Sequence, residues 1–134
     1  MTITVARGDL LTADVEALVN PVNTVGVMGK GLALAFRQAF PEMYRDYRQA
    51  AQEGRLAVGR MHVWAIGAGT GPRYVINFPT KRHWRSVSRL SDIEAGLTDL
   101  VTTTDRLGLR SLAVPALGCG HGASDRPGES LRMR

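Results

Sequence analysis

Among its 134 residues the sequence has one cysteine, Cys119, and three histidines, His62, His83 and His121. A lone thiol excludes an intramolecular disulfide and fits a reducing compartment. With the histidines scattered along the chain it cannot supply a zinc site, so no metal is expected. No apolar run approaches membrane-spanning length. The chain begins on the strand-like Met1-Thr2-Ile3-Thr4-Val5, so no signal peptide is expected and the expected location is the cytoplasm. Acidic residues are the scarcer charge, 12 against 17 lysines and arginines, for a net charge of +5. That balance favours an acidic partner, of which nucleic acid is the usual one. No internal repeat or low-complexity tract appears, and this length suits one domain with a single core.

Two phosphate-loop signatures are missing as well. Lys30 is followed by Gly31 rather than Ser or Thr, and no Gly-x-Gly-x-x-Gly occurs at this loop. What stands there is Asn20-Pro21-Val22-Asn23-Thr24-Val25-Gly26-Val27-Met28-Gly29-Lys30-Gly31, after the apolar run Ala17-Leu18-Val19. This reads as a buried strand, a glycine-rich loop and a helix start. In parallel sheets such loops lie at the strands' carboxyl ends, where ligands bind. Gly26, Gly29 and Gly31 let the backbone turn its N–H groups outward, and the helix N-terminus favours phosphate. Asn20 and Asn23 offer amides suited to sugar hydroxyls. The plainer alternative is a glycine-rich turn that only packs a helix on a sheet.

The remaining chain alternates strands with helices, which predicts a mostly parallel, three-layer α/β fold. Ile3 and Val5 alternate as on a strand that ends at Gly8-Asp9, where Asp9 can close a turn or cap the segment 11–15. Leu32, Phe36 and Phe40 make one helical stripe; Pro41 starts a second helix with Met43, Tyr47 and Ala51, closed by Gly54. Strands are expected over 61–66 and 73–79 around the turn 67–72. Ser91-x-x-Glu94 reads as a capping box, with Leu90 as its staple, for a helix running to Leu107 and stopped by Gly108. Residues 111–115 form the last clear strand, followed by Gly118-Cys119-Gly120-His121-Gly122, a loop able to point N–H groups at an anion. Residues 81–89 carry four basic groups, no acid and Trp84. This suits phosphate contact with base stacking, or a solvated loop with the indole tucked into the core. Residues 123–134 lack apolar periodicity and read as a disordered tail.

Four stretches carry a resemblance to macrodomains, the ADP-ribose-binding α/β modules: Gly8-Asp9-Leu10, the 20–31 loop, Asn77-Phe78-Pro79-Thr80-Lys81-x-His83-Trp84, and Pro115-Ala116-Leu117-Gly118-Cys119-Gly120. The chain resembles in particular the subclass of DarG-like antitoxins and terminal ADP-ribose glycohydrolases. The resemblance implies an α/β/α domain over 1–122, with the tail replacing the family's last helix. Asp9 would receive the adenine amine, with Leu10 beside it. Thr24, Gly26, Val27, Met28, Gly29, Lys30 and Gly31 would hold the diphosphate and distal ribose together with the loop 118–122, Asn23 would orient that ribose, and Asn20 would join the ligand set. Pro79, Thr80, Leu117 and residues Gly118, Cys119, Gly120, His121 and Gly122 would complete the ligand set. Asp125 falls near the family's aspartate, but its neighbours do not match, and no role is carried onto it.

In that subclass the motif's lysine acts at the distal ribose, which makes Lys81 the catalytic residue, by Schiff base or by electrostatic stabilisation. Arg82, His83, Trp84 and Arg85 would engage nucleic acid. The activity implied is removal of ADP-ribose from a DNA base, thymidine foremost and on single-stranded DNA, reversing a DarT-like toxin and requiring no cofactor. Three alternatives stand beside it: an ADP-ribose reader without catalysis, a glycohydrolase acting on ADP-ribosylated protein, and a plain nucleic-acid binder whose pocket is vestigial.

Overall fold

Continuous apolar runs, rather than alternating ones, mark strands covered on both faces. The central strand obeys this: in the computed structural model, which describes residues 1–5 and 9–117 and the backbone of 129–132, Ala17–Asn23 is buried along almost its whole length. The strands are β1 (Thr2–Val5), β2 (Ala17–Asn23), β3 (His62–Ala65), β4 (Tyr74–Lys81), β5 (Ser111–Val114) and β6 (Glu129–Arg132). They form one sheet in the order β3-β4-β2-β5-β1-β6. The inner pairs are parallel, whereas β3 and β6 add antiparallel edges.

Strand alternation then sorts the core into two layers. Leu18, Val22 and Val75 face α1 (Gly31–Ala39) and α2 (Pro41–Gln52), where Phe36, Met43 and Tyr47 are buried. Ala17, Val19, Ile76 and Phe78 face α3 (Leu90–Leu107) on the other side, against Ile93 and Leu100. The expected three-layer α/β/α architecture with a mixed, mostly parallel sheet is therefore the one observed.

Several local expectations need correction. Arg89, not Ser91, stands at the N-cap of α3, and no side chain caps it; Asp92 and Ile93 bond the Arg89 carbonyl through their backbone N–H groups. The helix starts earlier than the Ser-x-x-Glu pattern indicates, so Ser91 already lies inside it. Ala50 rather than Ala51 completes the buried stripe of α2. Strand β4 continues past residue 79 to Lys81, because β2 runs alongside it. Residues 129–132 are not disordered: they pair antiparallel with β1, whose outer backbone groups would otherwise have no partner strand. The rest of the expected tail, Asp125 included, lies outside the described residues.

One register irregularity matters for the site. Val22 pairs with Pro79 but Asn23 with Lys81, so Thr80 is an extra residue on β4. Such bulges re-aim the side chains that follow them. Here the bulge brings Lys81 alongside Asn23.

Helix α3 sits close to the sheet at Gly96, where an added Cβ would lie 2.4 Å from two carbons of the Phe78 ring. Alanine gains about 1 kcal/mol over glycine in a helix interior, but overpacking a fixed core ring costs about 1–3 kcal/mol. Phe78 is fully buried and cannot retreat. Gly96→Ala is expected to lower the unfolding free energy in urea titrations despite its better helix propensity.

Candidate active site

Where β2, β4 and β5 end, a cavity of about 680 Å³ opens. One wall is the glycine-rich loop and the first turn of α1, through Val27, Gly29, Lys30, Leu32 and Ala33. Opposite stand Thr80 and Lys81 of β4, with Trp84, Arg85 and Ser88 from the following segment. Pro21, Val22 and Asn23 form the floor, and Ala116 and Leu117 close the β5 side.

The loop is shaped from within by Asn23. Its Oδ1 accepts the N–H groups of Val25, Gly26 and Val27, each at 3.2 Å, while its Nδ2 donates to the Val27 carbonyl at 2.8 Å. The Tyr47 hydroxyl reaches the Asn23 carbonyl oxygen at 2.7 Å and Oδ1 at 2.9 Å. Burial pushes the Tyr47 phenol far above its ordinary pKa, so it stays a donor. Gly26 adopts φ +90°, and a Cβ there would come within 3.0 Å of Ala51 Cβ on α2. A glycine is required on both counts.

This wiring corrects the expectation of outward N–H groups at Gly26, whose N–H is bonded within the loop. The N–H groups of Val25, Gly26 and Val27 turn inward, onto Asn23 Oδ1. The amides left for an anion belong to the start of α1, whose N-cap, Lys30, provides no side-chain bond. Asn23 lines the cavity, but with its carbonyl oxygen already committed.

Beneath the loop lies a chain of polar groups. Asp46 Oδ2 is 2.7 Å from His62 Nε2, His62 Nδ1 is 3.0 Å from Asn77 Nδ2, and Asn77 Oδ1 accepts from Asn20 Nδ2 at 3.0 Å. Asn20 Nδ2 also approaches Met28 Sδ at 3.9 Å, and Asn77 Nδ2 donates to Met43 Sδ at 3.2 Å. Because Asn77 presents an N–H to Nδ1, His62 is neutral and carries its proton on Nε2. Burial lowers its pKa, and this outweighs the opposing pull of Asp46. Asn20 Oδ1 has no partner among the described residues.

The expected site residues thus divide. Asn23, Val27, Gly29, Lys30, Thr80, Lys81, Trp84, Arg85 and Leu117 meet at the cavity. Asn20 does not: even positions of β2 face the core under α1 and α2, so its amide meets Asn77 and Met28 instead of ligand. Leu10, Met28 and Pro79 are buried off the cavity. Thr24 spends its N–H and hydroxyl on the Arg82 carbonyl, tying the loop to the 82–89 segment. Gly31 begins α1, and Gly26 backs onto α2. Asp9 is exposed and heads a 3-10 turn, Leu10–Thr12, accepting from Leu11 N–H at 3.1 Å. The expected ligands Gly118, Cys119, Gly120, His121 and Gly122 lie outside the described residues.

In the basic segment, Trp84 is 44% exposed rather than tucked into the core. His83 stacks on its ring at 3.7 Å between centroids, and the Arg85 guanidinium lies 5.9 Å from the indole centroid. Arg82 points the other way, 3.7 Å from Asp92. Sequence reasoning missed Pro21, Val22, Ser88 and Ala116, although all four fall inside stretches it singled out. It also missed Leu32 and Ala33, whose apolar helical spacing signals only core, and the supporting roles of Tyr47 and His62. Among the described residues no group of three His, Cys, Asp or Glu is placed to hold a metal, and no helix is long and apolar enough to cross a membrane.

A glycine-rich loop shaped by an asparagine, facing a lysine across the strand ends of a mixed sheet, defines a macrodomain. The chain belongs to the Macro domain family, whose sequence profile matches residues 19–127. Within it, the chain is similar to the macrodomain of Mycobacterium tuberculosis DarG, with 52% identity and a TM-score of 0.84 over 92% of this chain and 81% of that structure. The full-length Mycobacterium tuberculosis relative, DNA ADP-ribosyl glycohydrolase, is 52% identical over 92% of this chain but only 35% of its own length. A Thermosipho africanus DarTG structure in complex with ADP-ribose is 36% identical, with a TM-score of 0.79, over 88% of this chain and 34% of that one. The chain therefore spans about a third of the length of the curated relatives it matches.

Two outcomes are expected from the loop's support. Tyr47→Phe removes the hydroxyl shared by the two Asn23 oxygens and should lower stability by about 1 kcal/mol. Hydrogen exchange should accelerate at the amides of Val25, Gly26 and Val27. For His62, the folded pKa lies below the ordinary 6.5. The unfolded chain then binds the proton more readily, so stability is complete above pH 6.5 and is lost as pH falls below it. Urea titrations at about pH 7.5 and about pH 5.5 should show a steeper loss in the wild type than in His62→Gln.

Proposed function

We propose that this domain is a glycohydrolase that removes ADP-ribose from a modified DNA base, thymidine foremost, with Lys81 as its catalytic residue. The observation that carries the reading is the position of Lys81: it faces the open amides of α1 across a cavity of about 680 Å³, a size suited to a nucleoside diphosphate sugar. With the diphosphate against Gly29, Lys30 and the first turn of α1, the distal ribose would reach Lys81 and Thr80. Asp9 would take the adenine amine on its remaining carboxylate oxygen. Trp84 and Arg85 at the rim suit a nucleobase and its phosphate. The names of the similar proteins support the DNA substrate, and they support a DarT-like toxin as the enzyme whose modification is reversed. A DNA substrate in turn favours the cytoplasm.

Two routes are open to Lys81. Its amine can add to the anomeric carbon as the bond to the base breaks; the ring C–O bond then opens to give a Schiff base, which water hydrolyses to free the amine before the sugar ring recloses. Alternatively, its ammonium can stabilise the departing charge while water adds directly. In both routes the base leaves with a proton and water supplies the new hydroxyl. Lys81→Ala should reduce release of ADP-ribose from modified oligonucleotide by at least about a hundredfold while calorimetric binding of free ADP-ribose largely survives. Lys81→Arg separates the routes, because it keeps the charge without a free amine near neutral pH. Retained activity supports electrostatics; inactivity together with a borohydride-trapped adduct on the wild type supports the Schiff base. A wild type that binds ADP-ribose but releases none from either DNA or protein would establish a reader instead.

A further inference from the structure

A second cavity, of about 440 Å³, adjoins the first and shares Lys81 with it. Arg82, Ser86, Val87, Arg89 and Asp92 form its other walls. Three of its six lining residues are cations and one is an anion. The single ion pair across it, Arg82 to Asp92, is long at 3.7 Å and its arginine is 67% exposed, so it holds Arg82 weakly. Arg89 is exposed and makes no ion pair among the described residues. Val87 is 84% exposed, an apolar side chain with no core to join. A solvated basic loop explains the arginines, but it does not explain a cavity that shares Lys81 with the site or an exposed apolar side chain on its lining. Alternating phosphates and apolar sugar faces match both features.

We infer that this second groove seats the phosphodiester backbone flanking the modified nucleotide, with Arg89 as a phosphate contact and Val87 against the adjacent sugar. The inference rests on the glycohydrolase reading above and extends it. Lys81 marks the bond to be cut, so ADP-ribose fills the first cavity and the strand leaves through the second. Asp92 opposes the strand, both by its own charge and by its hold on Arg82.

The test compares ADP-ribosylated thymidine nucleoside with ADP-ribosylated single-stranded oligonucleotides. One oligonucleotide has natural linkages; in two others the linkage on the 5′ or the 3′ side of the modified base is a neutral methylphosphonate. Arg89→Ala should raise KM several-fold on the natural strand, lower its salt slope by about one, and leave hydrolysis of the nucleoside unchanged. The effect should vanish on one of the two methylphosphonate strands, and Asp92→Asn should lower KM on the natural strand. An equal effect on nucleoside and strand, or none on either, overturns the groove assignment. So does an equal loss on ADP-ribosylated protein, which would make the groove a peptide site. Fluorescence anisotropy with unmodified single strand separates the two readings. Arg89-dependent binding without hydrolysis of any substrate would leave the groove standing and remove the activity, whereas hydrolysis without Arg89 dependence would do the reverse.

Discussion

Asn23 stands where β2 ends, and its one side-chain oxygen gathers three successive backbone N–H groups together with the Tyr47 hydroxyl. A buried N–H without a partner costs about 1–3 kcal/mol, which applies to Gly26, and the part-buried N–H groups of Val25 and Val27 add to what the loop would lose without Asn23. The cavity wall depends on that arrangement. Gly26 must take a positive φ to bring its amide round and must lack a Cβ to pass Ala51. Once the loop is fixed, α1 begins at the edge of the cavity, with no side chain capping its first amides. The bulge at Thr80 then sets Lys81 beside the same asparagine. A single polar side chain thereby links the loop backbone to the strand position that carries Lys81.

The support beneath the loop is polar where an apolar core would be simpler. Asn20 and Asn77 are fully buried, and His62 connects them to Asp46. Buried amides are tolerated when their hydrogen bonds are made, and they then specify one arrangement over its neighbours. Three of the four amide groups have partners here, including the two methionine sulfurs, which are weak acceptors. The Asn20–Asn77 pair joins opposed positions on β2 and β4, so it favours the one register that puts Asn23 and Lys81 together.

Much of this was legible in the residues. The apolar runs and helical stripes predicted the layered α/β fold, because burial on both faces of a parallel sheet leaves a plain compositional trace. Lys81, Thr80, Gly29 and Lys30 were singled out from motif alone, and they line one cavity. Asn20 was misjudged, since a strand residue's face depends on parity relative to a core that sequence does not display. The capping box failed as well: Ser91 and Glu94 have the right spacing, but the helix begins at Leu90 with Asp92 and Ile93 bonded to the Arg89 carbonyl, which puts Ser91 inside its first turn. Tyr47 read as core, and it is core; only its hydroxyl has a second task.

By itself the sequence determined the alternation of strands and helices, the glycine-rich loop after β2, and the chemical inventory of amides, lysine and arginines near the strand ends. These follow from local rules, namely periodicity, backbone freedom and side-chain type. The tertiary structure decided the rest. It turned three loop amides inward onto Asn23, inserted Thr80 so that Lys81 lies alongside that asparagine, and left Trp84 exposed at the rim. It also opened a second groove on the far side of Lys81. Each of these depends on which groups from distant segments become neighbours, and hydrogen-bond satisfaction in the packed chain, not local propensity, selects among the possibilities.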